Sequence, residues 1–394
     1  MLVDGQKLKP ELPKGAIWFH ASSVGEFEQA RPIIEKLKAK NEKQKIVVTF
    51  FSPSGYEARK NYDKADVVTY LPFATRRKAK KFLNELEPKM AIFVKYEFWP
   101  AYLRELHKRD IPTYSICSIF RPKQIFFRFW GKWYLNVLEN FTRLFVQNEE
   151  SRDLLAKHGI TNVSVIGDTR FDRVQDILAH IPNETLKRLA PVQEFTETCP
   201  NVIIAGSSWP QDEKLLAQYM QEKSWTTEKG QLKLILVPHE IDEQHLHFLF
   251  NLLQGRFVKY SALCRETSSI ARRSLMQHAD VMIIDTIGLL SSIYRFGHVA
   301  YIGGGFGVGI HNTIEAAVYG VPVIFGPNYD KFREAKGLID CGAARTISNY
   351  KELENALDIA LEQRKEIGTK AAEYVAAETG ATEKICNEIF NFKF

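Results

Sequence analysis

A strand, a helix and a second strand are predicted by residues 16–51, which read AIWFHASSVGEFEQARPIIEKLKAKNEKQKIVVTFF. Apolar and β-branched residues fill Ala16–His20 and Lys45–Phe51, and apolar residues recur at helical spacing in Phe27–Lys38. The alternation continues through the first half of the chain, where further strands are predicted at Ala91–Val94, Thr113–Ile116, Leu144–Gln147 and Val163–Ile166. Strands that alternate with helices in this way form a doubly wound parallel sheet.

The second half of the chain repeats this pattern, with strands predicted at Val202–Ala205, Leu234–Val237, Val281–Ile284, Val299–Ile302 and Val321–Phe325. A polar stretch with three prolines separates the halves. We therefore predict an α/β protein with two Rossmann-like domains. The predicted parts are an N-terminal domain at 1–185, a linker at 186–200, a C-terminal domain at 201–378, and a helix at 379–394 that packs back toward the first domain. Ligands are expected at the carboxyl ends of the strands, in a cleft between the domains.

The composition excludes several classes of protein. With 394 residues, 45% hydrophobic and 25% charged, the chain is neither disordered nor of low complexity. Its net charge of +6 is too small and too dispersed to predict nucleic-acid binding. Its five cysteines are scattered, which excludes a disulfide framework and a structural zinc site. No apolar run approaches the roughly 18 residues that cross a bilayer, and no signal peptide opens the sequence.

The loop His20–Glu26 joins a predicted strand to the helix that follows it, which is where α/β proteins place functional residues. Ser23 and Glu26 have the spacing of a capping box, in which the glutamate accepts a hydrogen bond from a backbone N–H group. The alternative is that Glu26 acts as a general base. The positive end of the helix is expected to keep its carboxylate ionised well below neutral pH. The two roles are compatible.

A second candidate site is the glycine-rich loop Tyr301–Glu315, which follows a predicted strand and contains five glycines. Such a loop lets the backbone approach a ligand, and the start of the next helix offers N–H groups to a phosphate. The loop matches neither a Walker A motif nor GxGxxG. The alternative is a helix cap formed by Asn312 with Glu315. Four further loops follow predicted strands of the second half and together suggest a nucleotide-sized pocket: Gly206–Pro210, Val237–His239, Asp285–Gly288 and Gly326–Asn328. His239 in the second of these loops is either a ligand contact or a structural residue.

The segment Phe120–Tyr134 combines seven aromatic residues with four cations and no acid. This composition is typical of a contact with an anionic lipid surface. The alternatives are a core helix whose cations reach the solvent, or a stacking platform for single-stranded nucleic acid. The candidate membrane contacts are Arg121, Lys123, Phe126, Phe127, Arg128, Trp130, Lys132 and Trp133.

Together these motifs resemble the Kdo (3-deoxy-D-manno-octulosonic acid) transferase family of lipid A and lipopolysaccharide biosynthesis. The resemblance covers almost the whole chain, in family order. It is carried by Trp18–Glu26 (WFHASSVGE), Tyr96–Pro100 (YEFWP), Gly167–Asp172 (GDTRFD), the loop Gly303–Glu315 and Phe325–Asn328 (FGPN). The combination is specific, although no single motif is.

The resemblance implies a GT-B fold and an inverting glycosyltransferase that moves Kdo from CMP-Kdo to a lipid A precursor of the lipid IVA type, without a cofactor or catalytic metal. It implies that the first domain binds the acceptor, with Glu26 as general base, Glu97 and Arg170 stabilising the transition state, and Ser23 and Gly25 in the substrate loop. The second domain is implied to bind CMP through Pro238, His239, Ile287, Gly288, Leu289, Asn312, Thr313, Ile314 and Glu315. No nucleic-acid partner is expected.

The chain departs from the family pattern at four places. Arg170 replaces a lysine, which retains the charge but changes its geometry. Pro238–Glu240 (PHE) stands where the family has Pro-Arg-His, and Ile287–Leu289 (IGL) where it has Met-Gly-Glu, so an arginine for the phosphate and an acid near the nucleotide are missing. Gly309–Asn312 (GIHN) stands where the family has Gly-Gly-His-Asn.

The resemblance places the protein at the cytoplasmic face of the bacterial inner membrane. Family members usually begin with a membrane-anchoring helix, which this sequence does not contain. Two explanations are open. Either an N-terminal anchor has been removed from this sequence, or the protein binds the membrane through Phe120–Tyr134. The alternative functions are another GT-B enzyme that uses a UDP-sugar, either an epimerase or a transferase, and a non-catalytic adaptor that binds lipid or nucleotide.

Overall fold

Two seven-stranded parallel sheets organise the chain, as seen in a computed structural model that describes residues 11–128, 131–223 and 232–390. The chain divides into two units. The first contains the residues up to Arg173 together with those from Glu378 onward, and the second contains Val174–Ala377.

The sheet of the first unit has the strand order β3-β2-β1-β4-β5-β6-β7. Its strands are β1 (Ile17–Ala21), β2 (Ile46–Phe50), β3 (Val67–Tyr70), β4 (Met90–Val94), β5 (Thr113–Ser118), β6 (Arg143–Val146) and β7 (Val163–Val165). The chain runs outward from β1 to β3 and then crosses back to β4, so the strand order reverses between β1 and β4. These two strands are paired, with His20 opposite Phe93. Such a reversal opens a crevice at the carboxyl ends of the two strands.

Helices cover both faces of this sheet. They are α1 (Val24–Lys40), α2 (Pro53–Arg59), α3 (Arg76–Leu86), α4 (Pro100–Lys108), α5 (Lys132–Leu138), α6 (Glu149–Ala156), α7 (Thr169–Ala179), which runs on into the second unit, and α18 (Ala381–Phe390). Alternate residues of β1 point to opposite faces, so Phe19 is buried in one apolar cluster and Trp18 in the other.

The C-terminal helix α18 is part of the first unit. Asp172 caps its start, because the two carboxylate oxygens accept the backbone N–H groups of Gly380 and Thr382 at 2.5 and 2.6 Å. Ile385 and Cys386 are fully buried in the cluster that also contains α1 and Phe19. The last described helix therefore completes the core around β1.

The sheet of the second unit has the order β10-β11-β9-β8-β12-β13-β14 and reverses between β8 and β12. Its strands are β8 (Val202–Ser208), β9 (Lys233–Pro238), β10 (Phe257–Lys259), β11 (Val281–Ile283), β12 (Val299–Ile302), β13 (Val323–Phe325) and β14 (Ala344–Thr346). Its helices are α8 (Asn183–Thr196), α9 (Pro210–Lys223), α10 (Glu243–Leu252), α11 (Tyr260–Arg265), α12 (Ser269–Gln277), α13 (Leu290–Ile293), α14 (Ile314–Ala317), α15 (Arg333–Asp340), α16 (Tyr350–Glu362) and α17 (Arg364–Ala377).

The predicted α/β class with two Rossmann-like parallel sheets and a helical C-terminal region is confirmed. Three strands escaped prediction, β3, β10 and β14, and each is a short strand at an outer edge of its sheet. The chain divides after Arg173, whereas the predicted first domain extends to residue 185. Most of the predicted linker lies in α8, where Leu189, Val192 and Phe195 are buried. The prolines of the predicted linker led to this error, because Pro191 lies inside helix α8 and does not end it.

Candidate active site

Glu26 lies in the first turn of α1, directly after β1. Ser23 caps this helix, its hydroxyl accepting the Glu26 N–H at 3.4 Å. The Glu26 carboxylate reaches back to the N–H of Ser22, which donates to Oε2 at 2.6 Å. Glu26 therefore acts much as in a capping box, but it accepts the N–H of Ser22. In a standard capping box the glutamate accepts the N–H of the cap residue, which here is Ser23. Gly25, in the same turn, has open space where a side chain would begin.

Burial and the charge of Glu97 raise the pKa of Glu26 to about 7, although the Ser22 N–H and the charge of Lys95 act in the opposite direction. The prediction that Glu26 is ionised well below neutral pH is therefore wrong. The helix terminus is outweighed by the loss of solvent around the carboxylate and by a second carboxylate nearby. A carboxyl group with a pKa near neutrality is well matched to general base catalysis.

Glu97 follows β4 and is held by a network of buried side chains. The Trp99 indole N–H donates to its Oε2 at 2.6 Å, and His20 Nε2 lies 3.0 Å from the same oxygen. His20 is fully buried, with Nδ1 2.9 Å from the hydroxyl oxygen of Thr49, which in turn accepts the indole N–H of Trp18 at 2.8 Å. His20 and Trp99 lie inside the quoted motifs, but sequence reasoning gave them no role, because only the fold brings β1 and β4 together.

Arg170 is bound to Asp168. Its Nε and Nη2 atoms donate to Asp168 Oδ2 at 2.9 and 2.7 Å, and Gln29 donates to Oδ1 at 2.8 Å. Asp168 is fully buried, which raises its pKa, but Arg170 and the charge of Lys95 outweigh this and lower it to about 2. Arg170 thus neutralises a permanent buried anion, and sequence reasoning had given Asp168 no role.

Three aromatic rings stack at the ends of β8, β9 and β12 in the second unit. The exposed His239 ring lies 4.7 Å from the Trp209 ring and 4.5 Å from the His311 ring, measured between centroids. Trp209 donates its indole N–H to His311 Nε2 at 3.4 Å. Burial and the proximity of His239 lower the pKa of His311 to about 4, so its imidazole is neutral at physiological pH. Trp209 and His311 were missed as site residues, although both lie in loops that the sequence analysis singled out.

The glycine-rich loop follows β12 and is anchored by Asp212. One oxygen of this carboxylate accepts the N–H groups of Gly304 and Trp209, both at 3.0 Å, and the other accepts the Tyr301 hydroxyl at 2.7 Å. Burial raises the pKa of Asp212 against these hydrogen bonds.

Three of the five glycines pack closely against other backbone. A Cβ on Gly303 would lie 2.2 Å from the Ser207 carbonyl oxygen, one on Gly304 2.6 Å from the Gly309 carbonyl oxygen, and one on Gly305 2.6 Å from the Gly326 Cα. The close approach that the sequence predicted for a ligand is thus made, at these three positions, by backbone of the same unit.

The residues after this loop combine a turn with a short helix. Asn312 donates to Glu315 Oε1 at 2.9 Å and accepts the Ile314 N–H at 3.3 Å. This is a side-chain pair and not the predicted cap, because α14 begins after Thr313, which makes no capping hydrogen bond with its side chain. Helix α14 has only four residues, which weakens the predicted helix-terminus contribution to phosphate binding. Thr313 and Ile314 are fully buried.

The other candidate nucleotide contacts differ in exposure. Pro238 is buried at the end of β9, and Leu289 is fully buried, so neither presents an exposed surface to a ligand in this structure. Ile287 is 80% exposed, and Gly288 has a φ of +87°.

The aromatic segment 120–134 divides between core and surface. Phe126 is only 8% exposed and packs against Phe98 and Tyr134, so its prediction as a membrane contact is corrected: it is a core residue. Phe127 is partly buried against the same cluster. Arg121 donates to the Tyr96 hydroxyl at 3.1 Å, beside the loop that carries Glu97.

The exposed members of this segment include Lys123, Arg128 and Trp133, the last with 52% of its surface exposed. Trp130 and the side chain of Lys132 lie outside the described part of the chain. Among the described residues, no helix has both the length and the apolar character needed to cross a membrane.

Comparison with known proteins agrees with the motif resemblance. Residues 4–173 match the family model "3-Deoxy-D-manno-octulosonic-acid transferase (kdotransferase)". The 3-deoxy-D-manno-octulosonic acid transferase of Aquifex aeolicus is 27% identical over 359 residues, covering 90% of this chain and 88% of the relative. The enzyme of the same name from Rickettsia felis is 24% identical over 370 residues, covering 92% and 75%.

Among solved structures, UDP-GlcNAc 2-epimerase from Neisseria meningitidis superimposes with a TM-score of 0.67, 14% sequence identity and coverage of 96% of this chain and 100% of that one. At this identity the likeness shows the fold alone, which is GT-B-like. The family match and the relatives confirm the resemblance to sugar transferases that the motifs predicted. Residues 4–173 match the model of the Kdo transferase family, the similarity to Kdo transferases extends over most of the chain, and the chain is an enzyme of the glycosyltransferase class.

Proposed function

We propose that this chain transfers Kdo from CMP-Kdo to a lipid A precursor of the lipid IVA type, with inversion at the anomeric carbon. The family of residues 4–173 and the names of the relatives support Kdo transfer. The motif resemblance supports the CMP-linked donor, the lipid acceptor and the inverting course.

The observation that carries this proposal is the partly buried carboxyl group of Glu26, with a pKa of about 7 at the strand-order reversal of the first sheet. In the proposed reaction Glu26 takes the proton of the acceptor hydroxyl as its oxygen attacks the anomeric carbon, and CMP leaves from the opposite face. The Ser22 N–H supports the negative charge on Glu26 before the proton arrives.

We assign Glu97 and Arg170 to electrostatic stabilisation of the transition state, which is usually the largest catalytic contribution. Glu97 is oriented for this by Trp99 and His20. Arg170 acts together with Asp168, because its guanidinium is already bound to that carboxylate. Ser23 and Gly25 line the substrate loop in this proposal.

The second unit is proposed to bind CMP. The side chains of His239, Asn312 and Glu315 are accessible for this role, as is the exposed backbone around Ile287 and Gly288. Pro238, Leu289, Thr313 and Ile314 are buried, so in this proposal they support the exposed contacts and present no surface of their own to CMP. We further propose that the exposed residues of segment 120–134 attach the protein to the cytoplasmic face of the bacterial inner membrane.

The test is the release of CMP from freshly generated CMP-Kdo, with and without a tetra-acylated lipid A precursor. An enzyme-free control is needed because CMP-Kdo hydrolyses spontaneously. Release that depends on the acceptor supports the proposal. Thermal stabilisation by UDP and not by CMP would instead indicate an enzyme that uses a UDP-sugar. Binding of lipid and CMP without any turnover would indicate a non-catalytic adaptor.

A further inference from the structure

Lys95 is the first residue after β4, and its backbone has a φ of +53°. A residue with a side chain adopts this left-handed conformation only where the surroundings hold it, and such positions cluster at functional sites. The Lys95 N–H donates to the Ile116 carbonyl at 2.9 Å. Its own carbonyl accepts the hydroxyls of Ser118 and Ser115 at 2.7 and 3.4 Å, and both serines are fully buried. The turn at Lys95 is therefore fixed from β5.

The turn at Lys95 lies near the backbone segments that hold Glu26 and carry Glu97. The pairing of β1 with β4 ends at His20 and Phe93, and Ser22 and Lys95 are the first residues after these two strands. The N–H of Ser22 holds Glu26. Glu97 follows Lys95 by two residues on the same loop. Lys95 thus sits where the loops bearing both carboxylates leave the sheet.

The charge of Lys95 acts on several groups at once. It lowers the pKa of both Glu26 and Asp168. Within the described part of the chain, Lys95 forms no ion pair of its own. Arg170, in contrast, directs two of its N–H groups at Asp168. Lys95 is therefore the cation near Glu26 whose charge is not committed to a single partner.

We propose that Lys95 is a positioning residue of this active site, whose ammonium group keeps the Glu26 carboxylate ionised beside Glu97 and so sets the pH at which the base works. The proposal rests on the proposed function, because it takes Glu26 as the base. A cation favours the charged form of a nearby carboxyl group, whereas burial and a second carboxylate oppose it. Without Lys95, only the backbone N–H groups of Ser22 and Ser23 would counter these two influences on Glu26.

Other charged and titratable groups surround Lys95 and Glu26, and they limit how far the loss of Lys95 alone can change the pKa of Glu26. The loop after β4 also carries Tyr96, which faces Glu26 and receives a hydrogen bond from Arg121. The remaining groups are His20 of β1 beside Glu97, Cys117 of β5, and Asp168 with Arg170 before and at the start of α7. A substitution of Lys95 changes none of these residues, but it also removes a charge that lowers the pKa of Asp168 and of Cys117.

The test compares the pH dependence of kcat/KM in the wild type, Lys95→Met and Lys95→Arg. In Lys95→Met we expect the acidic limb to move to higher pH by about one unit, which is an approximately tenfold loss at low pH that disappears near pH 9. Lys95→Arg should keep the wild-type limb. Lys80→Met, which removes an exposed lysine from α3, is the matched control and should change nothing. An equal loss at every pH, or an unmoved limb, overturns the proposal.

Two further measurements keep the test decisive. If Lys95→Met does not fold, Lys95→Gly replaces it, because glycine accepts a positive φ and also removes the charge. The Glu26 carboxyl carbon can be titrated by NMR in protein labelled with ¹³C-glutamate and assigned with Glu26→Gln, without donor or acceptor. A pKa of Glu26 that rises in Lys95→Met or Lys95→Gly but not in Lys95→Arg supports the role of Lys95. It does so even if no Kdo is transferred, a result that would refute only the proposed function. Kdo transfer with an unmoved Glu26 pKa refutes the role of Lys95 alone.

Discussion

Glu26 and Glu97 follow β1 and β4, the neighbouring strands at which the strand order of the first sheet reverses, and the charge of Glu97 raises the pKa of Glu26. Two carboxylates placed in this way do not ionise independently. The structure distinguishes them by their partners: Glu97 receives the Trp99 indole N–H and lies against His20, whereas Glu26 receives only a backbone N–H among its identified donors. Glu97 is thereby held in place by side chains, and Glu26 is left poised to exchange a proton.

The rate of transfer should depend on pH as the titration of Glu26 requires. A base must be deprotonated to accept the acceptor's proton, and the pKa of Glu26 is raised to about 7. We therefore expect kcat/KM to rise through about pH 7 and to fall approximately tenfold for each unit below it. The profile is measured from pH 5.5 to 9, with spontaneous donor hydrolysis subtracted. A kcat/KM that stays constant down to pH 5.5 would contradict the role of Glu26, because a glutamate with the ordinary pKa of 4.5 remains ionised over this range.

Neutralising Glu97 should move this limb in the direction opposite to that expected for Lys95→Met. In Glu97→Gln the like charge beside Glu26 is lost, so the pKa of Glu26 should fall and the acidic limb should move down by about one unit. The glutamine oxygen can still accept from Trp99, which preserves the loop. Glu85→Gln, at an exposed position on α3, is the control and should leave the profile in place. A limb that stays or moves upward in Glu97→Gln would show that the two carboxylates do not interact.

His239 should contribute to nucleotide binding through its exposed ring. We expect His239→Ala to weaken CMP binding about fivefold, the effect of losing one hydrogen bond of about 1 kcal/mol. Binding is measured by calorimetry, or by tryptophan fluorescence, since Trp209 stacks on this ring. His247→Ala removes an exposed histidine of α10 and serves as the control. If CMP affinity is the same in His239→Ala, the histidine is structural, as the alternative interpretation of the sequence held.

The exposed cations of segment 120–134 should attract an anionic membrane. Lys123 and Arg128 are the pair to reverse, because Arg121 lies against Tyr96 and Phe126 is in the core. At about 1 kcal/mol for each cation, removing both should weaken binding to anionic vesicles by at least about 30-fold. Reversing Lys351 and Lys365, exposed lysines of the second unit, is the control in a vesicle sedimentation assay. Equal binding by the two double variants would exclude this segment as the attachment site.

The sequence predicted the positions of Glu26 and Glu97, because buried strands such as β1 and β4 have a strong apolar signal and functional loops follow their ends. It did not predict the pKa of Glu26, which depends on burial and on a charge that arrives from another strand. Lys95 gave no signal, since only its left-handed backbone and its place at the end of β4, the strand paired with β1, single it out. The stacking of Trp209, His239 and His311 likewise requires three loops to meet, and a pattern along one chain does not show this.

The central claim is that Glu26 is the base of Kdo transfer, and the most direct measurement compares Glu26→Gln with the wild type in both rate and CMP affinity. The glutamine oxygen can still accept the Ser22 N–H, so the loop should survive. We predict that acceptor-dependent CMP release falls by about 10²–10⁴-fold while CMP affinity and thermal stability stay close to those of the wild type. A loss of CMP affinity and stability that parallels the loss of rate would contradict the claim and reduce Glu26 to a capping residue.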